Sequence, residues 1–171
     1  LPPLPGGVSP ALISFVSAKK IRVRPTVLSV GLIQKPPFPH ILVEPNNKGQ
    51  SCCVSTGKAM SIDRVDSLWD KGFQIGRNLQ KPILLAESVP GGTTTAQAVL
   101  RGLGLQIDHL VSGSVKNPPK NLKTQLIDRG LRKANLSINP SPQEILSAVG
   151  DPFQPVAVGL LLGANQSGIP I

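Results

Sequence analysis

The sequence predicts an α/β fold in which a parallel sheet is covered by helices. Short β-rich runs, Thr26 to Leu32, Ile83 to Ala86 and Leu110 to Ser112, alternate with segments of helical periodicity. That alternation is how parallel strands and their crossover helices follow one another along a chain. The run Ile83-Leu84-Leu85-Ala86 is apolar at every position rather than at alternate ones, which suits a central strand buried on both faces. Together these give a three-layer, Rossmann-like arrangement, a parallel sheet flanked by helices. A length of 171 residues fits one α/β domain, 1–171, with room for a sizeable core. The chain opens on Leu1 rather than Met and closes on Ile169-Pro170-Ile171, which resembles a strand just beginning. It is therefore expected to be the central part of a longer protein, truncated at both ends.

Three helix starts share one device. Ser9-Pro10, Asn117-Pro118 and Ser141-Pro142 each pair a capping side chain with a proline at the first helical position, where the missing N–H costs nothing. In the third, Glu144 completes a capping box with Ser141. There Ile145, Leu146 and Val149 form one apolar face, and Gly150 is the stop. Ser61 opens a further helix with Asp63 and Asp66 near its start and a stripe of Ile62, Val65, Leu68, Trp69, Phe73 and Leu79. Gln34 to Gln50, with four prolines, is expected to be a long irregular loop.

Composition narrows the function. An excess of 18 Lys and Arg over 9 Asp and Glu gives a net charge of +9, which favours anionic partners. The basic residues are dispersed; Lys19 to Arg24 and Arg129 to Lys133 come nearest to runs. With aromatics at 3% and no tyrosine, base-stacking platforms are scarce, so nucleic acid is not an expected partner. Cys52 and Cys53 are adjacent and cannot easily bridge each other, which fits a reduced, cytoplasmic setting. The apolar run Val156 to Ala164 is too short to span a bilayer, so no membrane association is expected. His40 and His109 stand apart from the cysteines, and no metal site is expected.

Glu87 to Thr95, Glu-Ser-Val-Pro-Gly-Gly-Thr-Thr-Thr, falls at the carboxyl end of the expected central strand, where open α/β sheets bind ligands. Gly91 and Gly92 let backbone approach a ligand closely. Thr93, Thr94 and Thr95 would open a helix, to about Arg101, and present N–H groups and hydroxyls to a phosphate. No lysine follows Gly92, so this is not a Walker loop, and the GxGxxG dinucleotide pattern is also missing. The same pattern equally describes a tight βα turn with no ligand. Glu87 has two readings: a partner for sugar hydroxyls, or a partner for the loop amides. Ser112-Gly113-Ser114, followed by Lys120 and Lys123, offers a second phosphate or carboxylate contact, or an ordinary loop. Ser55-Thr56-Gly57-Lys58-Ala59-Met60 matches only the tail of a P-loop.

"ESVPGGTTTAQAVLRGLG", with "STGKAM" before it and "VGDPFQPV" after it, resembles the archaeal and cyanobacterial branch of the nicotinate-nucleotide–dimethylbenzimidazole phosphoribosyltransferase family. "SPALISFVSA", "VGLIQKPPFP", "GFQIGRNL", "VSGSVKNPP" and "LKTQLIDRGL" extend the resemblance in order along nearly the whole chain. The resemblance implies a pentosyltransferase that joins nicotinate mononucleotide to a benzimidazole or purine-type base in the synthesis of cobalamin lower-ligand nucleotides. Its partners are then a small-molecule nucleotide and an aromatic base, with no cofactor and, as in the bacterial relatives, a homodimer. Carried over residue by residue, Gly91, Gly92, Thr93 and Thr94 line the phosphoribosyl site, Glu87 is the carboxylate by the ribose and reacting centre, and Gly113 and Lys123 belong to a second contact. The family's principal general base corresponds to sequence beyond Ile171, so this chain alone is expected to bind nucleotide weakly and not to turn over. The alternative is a nucleotide- or phosphate-binding module without catalysis.

Overall fold

Six α-helices and one pair of short parallel strands lie within the described residues, 10–107, 110–111 and 119–171, of the computed structural model. The first helix, α1 (Pro10–Lys20), begins at the expected proline; Ser9 lies outside the described residues. It meets none of the other described helices or strands, and Leu12, Ile13, Phe15 and Val16 lie exposed on it.

Strands β1 (Leu28–Ser29) and β2 (Ile41–Leu42) pair in parallel, Leu28 opposite Ile41 and Ser29 opposite Leu42. The α/β class is thus present in a helix-rich form, with a sheet of two strands among the described residues. β2 lies inside the segment expected to be an irregular loop. That loop is held in place by Glu44, whose Oε1 and Oε2 accept from Arg64 Nη2 at 2.6 Å and Nε at 2.9 Å, while Oε1 also accepts from the Gly31 N–H at 2.9 Å. The buried carboxylate ties the turn after β1, the end of β2 and the following helix together, and the two-pronged guanidinium fit offsets the cost of burying it.

One expected strand does not form, and a second lies partly outside the described residues. Residues 82–89 carry no strand pairing, and Leu84 is 95% exposed, so Ile83 to Ala86 is not a strand buried on both faces. Leu110 and Val111 form a turn and a bend, and Ser112 lies outside the described residues. The physical reason is that an apolar run becomes a strand only when a neighbouring edge supplies its ladder partners, and no described segment lies beside either run as one.

Helix α2 (Ile62–Arg77) starts as expected, with Ser61 Oγ accepting from the Arg64 N–H. Val65 and Leu68 are buried on its stripe, but Ile62 is exposed, and Leu79 falls beyond the helix end. The residues that define its packing are Gly72 and Gly76. They lie against the carbonyls of Val156 and Leu160 on α6 (Phe153–Gln166), while Gly159 and Gly163 of α6 lie against the carbonyls of Trp69 and Phe73. A Cβ at any of these four positions would collide with backbone. The sheet closes over this pair, where Val43, Leu68 and Val156 share a core cluster with Leu28 and Val30.

A second core joins Val54, Ala98, Ile127, Ile145, Ala148 and Val149, contributed by α3 (Gly92–Gly102), α4 (Lys120–Ala134), α5 (Pro142–Val149) and the short 3-10 turn at Val54–Thr56. The Ser141–Glu144 capping box is formed in full, with Pro142 opening α5 and Gly150 ending it. α4 begins at Lys120 with Pro119 at its N-cap, so it starts after the expected Asn117-Pro118 pair, which lies outside the described residues.

Candidate functional site

The glycine segment is a turn that launches a helix. The Gly92 N–H donates to the Val89 carbonyl at 2.9 Å, closing Val89-Pro90-Gly91-Gly92, and Gly91 sits at φ 77°, ψ 5°. Proline second and a left-handed glycine third is the residue order of a type II turn. Gly91 is also the N-cap of α3, its carbonyl accepting from the Thr94 N–H at 2.8 Å. Nothing lies within 4 Å of a Cβ built on Gly91, so backbone conformation rather than space requires glycine there. Gly92 differs: its Cβ would stand 3.2 Å from that of Val89 and 3.7 Å from Glu87 Oε1.

Glu87 is exposed before this turn, and its Oε2 accepts from the Val89 N–H at 2.5 Å. Glu87 thus contacts one loop amide. Its other oxygen remains on the side of Gly92.

Two elements distant in sequence reach the start of α3. From α4, Lys123 Nζ donates to Thr93 Oγ1 at 2.7 Å, bringing a cation to the helix end where anions are favoured. From the entrance of α6, Asp151 Oδ2 lies 2.5 Å from Thr95 Oγ1. Glu87, Gly91, Gly92, Thr93, Thr94 and Lys123 are thus gathered around one helix N-terminus, whereas Gly113 lies outside the described residues.

Asp151 is the site residue that sequence reasoning missed. It is only 5% exposed. Its Oδ1 accepts from the Phe153 N–H at 3.0 Å and the Gln154 N–H at 3.3 Å, while Gln154 Oε1 accepts from the Asp151 N–H at 2.9 Å. That reciprocal exchange is a capping box around Pro152. The signal was available: Asp151-Pro152-Phe153-Gln154 repeats the pattern of Ser141-Pro142-Gln143-Glu144. Burial pushes the Asp151 carboxyl above the usual aspartate range, and the nearby Glu87 charge adds to the rise; the contact with Thr95 and the Gln154 and Phe153 N–H groups act against it.

The remaining candidates have structural duties. In Ser55 to Met60, Gly57 is left-handed against the backbone of α4, and the Ala59 and Met60 N–H groups donate to Ala148 and Ser147 carbonyls at 3.1 and 2.9 Å. The segment is a tether to α5. Cys52 and Cys53 are free and exposed, and the Ser55 hydroxyl lowers the Cys53 thiol. His40 Nδ1 lies 2.7 Å from the Phe38 carbonyl, and His109 is outside the described residues. Among the described residues no group of His, Cys, Asp and Glu is arranged to hold a metal, and no helix is long and apolar enough to cross a membrane.

A threonine-rich helix N-terminus thus follows a glycine turn, with a carboxylate before it and a lysine beside it. A family model described as phosphoribosyltransferase matches residues 11–171. The chain belongs to the nicotinate-nucleotide–dimethylbenzimidazole phosphoribosyltransferase family. It is similar to a UPF0284 protein of Prochlorococcus marinus strain MIT 9313, at 59% identity over 100% of this chain and 42% of the relative. A UPF0284 protein of Parasynechococcus marenigrum is 52% identical over 97% of this chain and 42% of its own length. A third, from Picosynechococcus, is 35% identical over 98% of this chain and 47% of its own length. The chain thus spans less than half the length of these curated relatives.

Proposed function

We propose that the full-length protein transfers phosphoribose from nicotinate mononucleotide to a benzimidazole- or purine-type base, making a lower-ligand nucleotide of cobalamin-type cofactors. The observation that carries the reading is the Lys123–Thr93 contact at the N-terminus of α3. It adds a full positive charge to backbone N–H groups and threonine hydroxyls at the end of a helix that suits one phosphate. A mononucleotide needs no polyphosphate cradle, which accounts for a turn without the Walker lysine.

In the proposed reaction a ring nitrogen of the incoming base bonds to the anomeric carbon of the ribose as the bond to the nicotinate nitrogen breaks. The bonding pair passes to the ring nitrogen, so that nicotinate leaves with an uncharged ring, and the incoming base gives up its proton. Gly91, Gly92, Thr93, Thr94 and Lys123 hold the phosphoribosyl group. Glu87 stands near enough to favour positive charge developing on the ribose. The proton is taken by a general base in the part of the full-length protein that this chain does not span, where further strands complete a three-layer Rossmann-like sheet. Gly113 supplies the second contact. The full-length protein works in the cytoplasm as a homodimer.

Calorimetric titration of nicotinate mononucleotide into the full-length protein tests the reading. Gly92→Val should lose binding by at least about tenfold, roughly 1.4 kcal/mol, because its side chain meets Val89 and fills the approach to the turn. Glu87→Gln should bind within about threefold of the parent, roughly 0.7 kcal/mol, and lose turnover. Equal affinity for Gly92→Val and parent would remove the turn from the site. Tight binding with no transfer to any base would make the protein a non-catalytic nucleotide-binding module.

A further inference from the structure

We propose that Asp151 in its protonated form holds Thr95 and, as a neutral hydrogen-bond donor, is the positioning residue of the glycine–threonine turn. The argument is a count of hydrogens. Thr95 Oγ1 lies 3.0 Å from the Gly92 carbonyl and 2.5 Å from Asp151 Oδ2. A threonine hydroxyl has one hydrogen, and a carbonyl and an ionised carboxylate are both acceptors only. With Asp151 ionised, one of the two contacts has no hydrogen in it. With Asp151 protonated the chain closes: Asp151 O–H donates to Thr95 Oγ1, and Thr95 O–H donates to the Gly92 carbonyl. Every oxygen then has a partner, and the first residue of α3 is tied through Thr95 to the entrance of α6.

The surroundings favour the neutral form. Asp151 is 5% exposed, and Oδ1 is already committed to the Phe153 and Gln154 N–H groups. Glu87 faces it from the segment before the turn, and Lys123 reaches the same end of α3 from α4 through Thr93. α6 carries no ionisable side chain, α3 carries none before Arg101, and Glu144 of α5 is engaged with Ser141. A proton on Asp151 also removes one of two negative charges beside an anion site. That last consequence rests on the function proposed above; the proton itself does not.

Asparagine is the discriminating substitution, because its amide donates where a protonated aspartate would and its carbonyl still caps α6. In the full-length protein, 13C NMR of the Asp151 carboxyl, assigned by its loss in Asp151→Asn, should show titration above the ordinary aspartate value of about 3.9. Because the folded group holds its proton more tightly than the unfolded one, its contribution is fully present below the ordinary aspartate value. It is lost as pH rises through the folded titration point, so parent stability should fall across that window. Asp151→Asn should abolish that slope and match the parent below the window, whereas Asp151→Ala and Thr95→Val should lose stability at every pH. Affinity for nicotinate mononucleotide should fall across the same window in the parent and stay flat in Asp151→Asn. Titration at or below about 3.9, or an asparagine variant as damaged as alanine, would overturn the proposal. Absence of any nucleotide binding, with the carboxyl titration as expected, would instead count against the function reading alone.

Discussion

Glycine does two different jobs in this molecule, and the contrast lies between the α2–α6 crossing and the turn before α3. At the crossing, Gly72, Gly76, Gly159 and Gly163 are spaced four apart on two facing helices, and backbone carbonyls occupy the space a Cβ would need. At the turn, Gly91 faces open space, and only its left-handed backbone requires glycine. One region uses glycine to bring two helices into backbone contact; the other uses it to aim a helix N-terminus. The first is rigid scaffold, the second a place where a ligand can approach. Substitutions can test each half of that contrast.

The largest effect is expected at the crossing. In an exposed helix interior, alanine for glycine gains up to about 1 kcal/mol from helix propensity. Gly76→Ala should instead lose about 3 kcal/mol, because the new methyl meets the Leu160 carbonyl, which belongs to the backbone of α6 and cannot rotate away. Urea denaturation of the full-length protein measures it. A neutral or stabilising Gly76→Ala would mean that the helices slide apart freely and the contrast fails. Gly163→Ala, which strikes the Phe73 carbonyl from the other side, should lose a similar amount.

This crossing also shows where sequence reading stopped short. Gly72 with Gly76 and Gly159 with Gly163 are visible as two spaced pairs, but nothing local says that the pairs face each other across almost ninety residues. Helix starts were more legible, because a cap is a local event: Ser61 and the Ser141–Glu144 box form as their residues dictate. Asp151 obeys the same local rule and was overlooked only as a cap. Its contact with Thr95 is non-local and had no signal in the chain. Strands were the least legible. Ile83 to Ala86 has the composition of a buried strand, yet a strand is a property of two segments; among the described residues no second one lies beside it, and Leu84 is exposed.

A middle-sized effect is expected at the turn. Gly91→Ala places a Cβ on a backbone at φ 77° and should cost about 1–2 kcal/mol. Gly91→Asn should cost only part of that, since asparagine tolerates the left-handed region. The ordering alanine worse than asparagine is the signature of a conformational requirement, just as a clash with backbone is the signature at the crossing. If asparagine were the more damaging, space rather than conformation would limit Gly91, and the two regions would no longer differ in kind.

The smallest effect on stability, and the one that bears most on function, belongs to Lys123. Lys123→Met keeps an unbranched apolar stem of similar reach while removing the ammonium group that touches Thr93. Polar contacts of a partly exposed lysine each contribute little to folding, so stability should stay within about 1 kcal/mol of the parent. Affinity for nicotinate mononucleotide should nonetheless fall about tenfold, because the charge placed beside the helix N-terminus has no substitute in methionine. The loss should shrink in high salt, where a partly exposed charge is screened and the parent loses the same advantage. A large stability loss with unchanged affinity would invert the assignment: Lys123 would then belong with the glycines of the crossing as scaffold, and the proposed phosphate contact would fall to backbone and threonines alone.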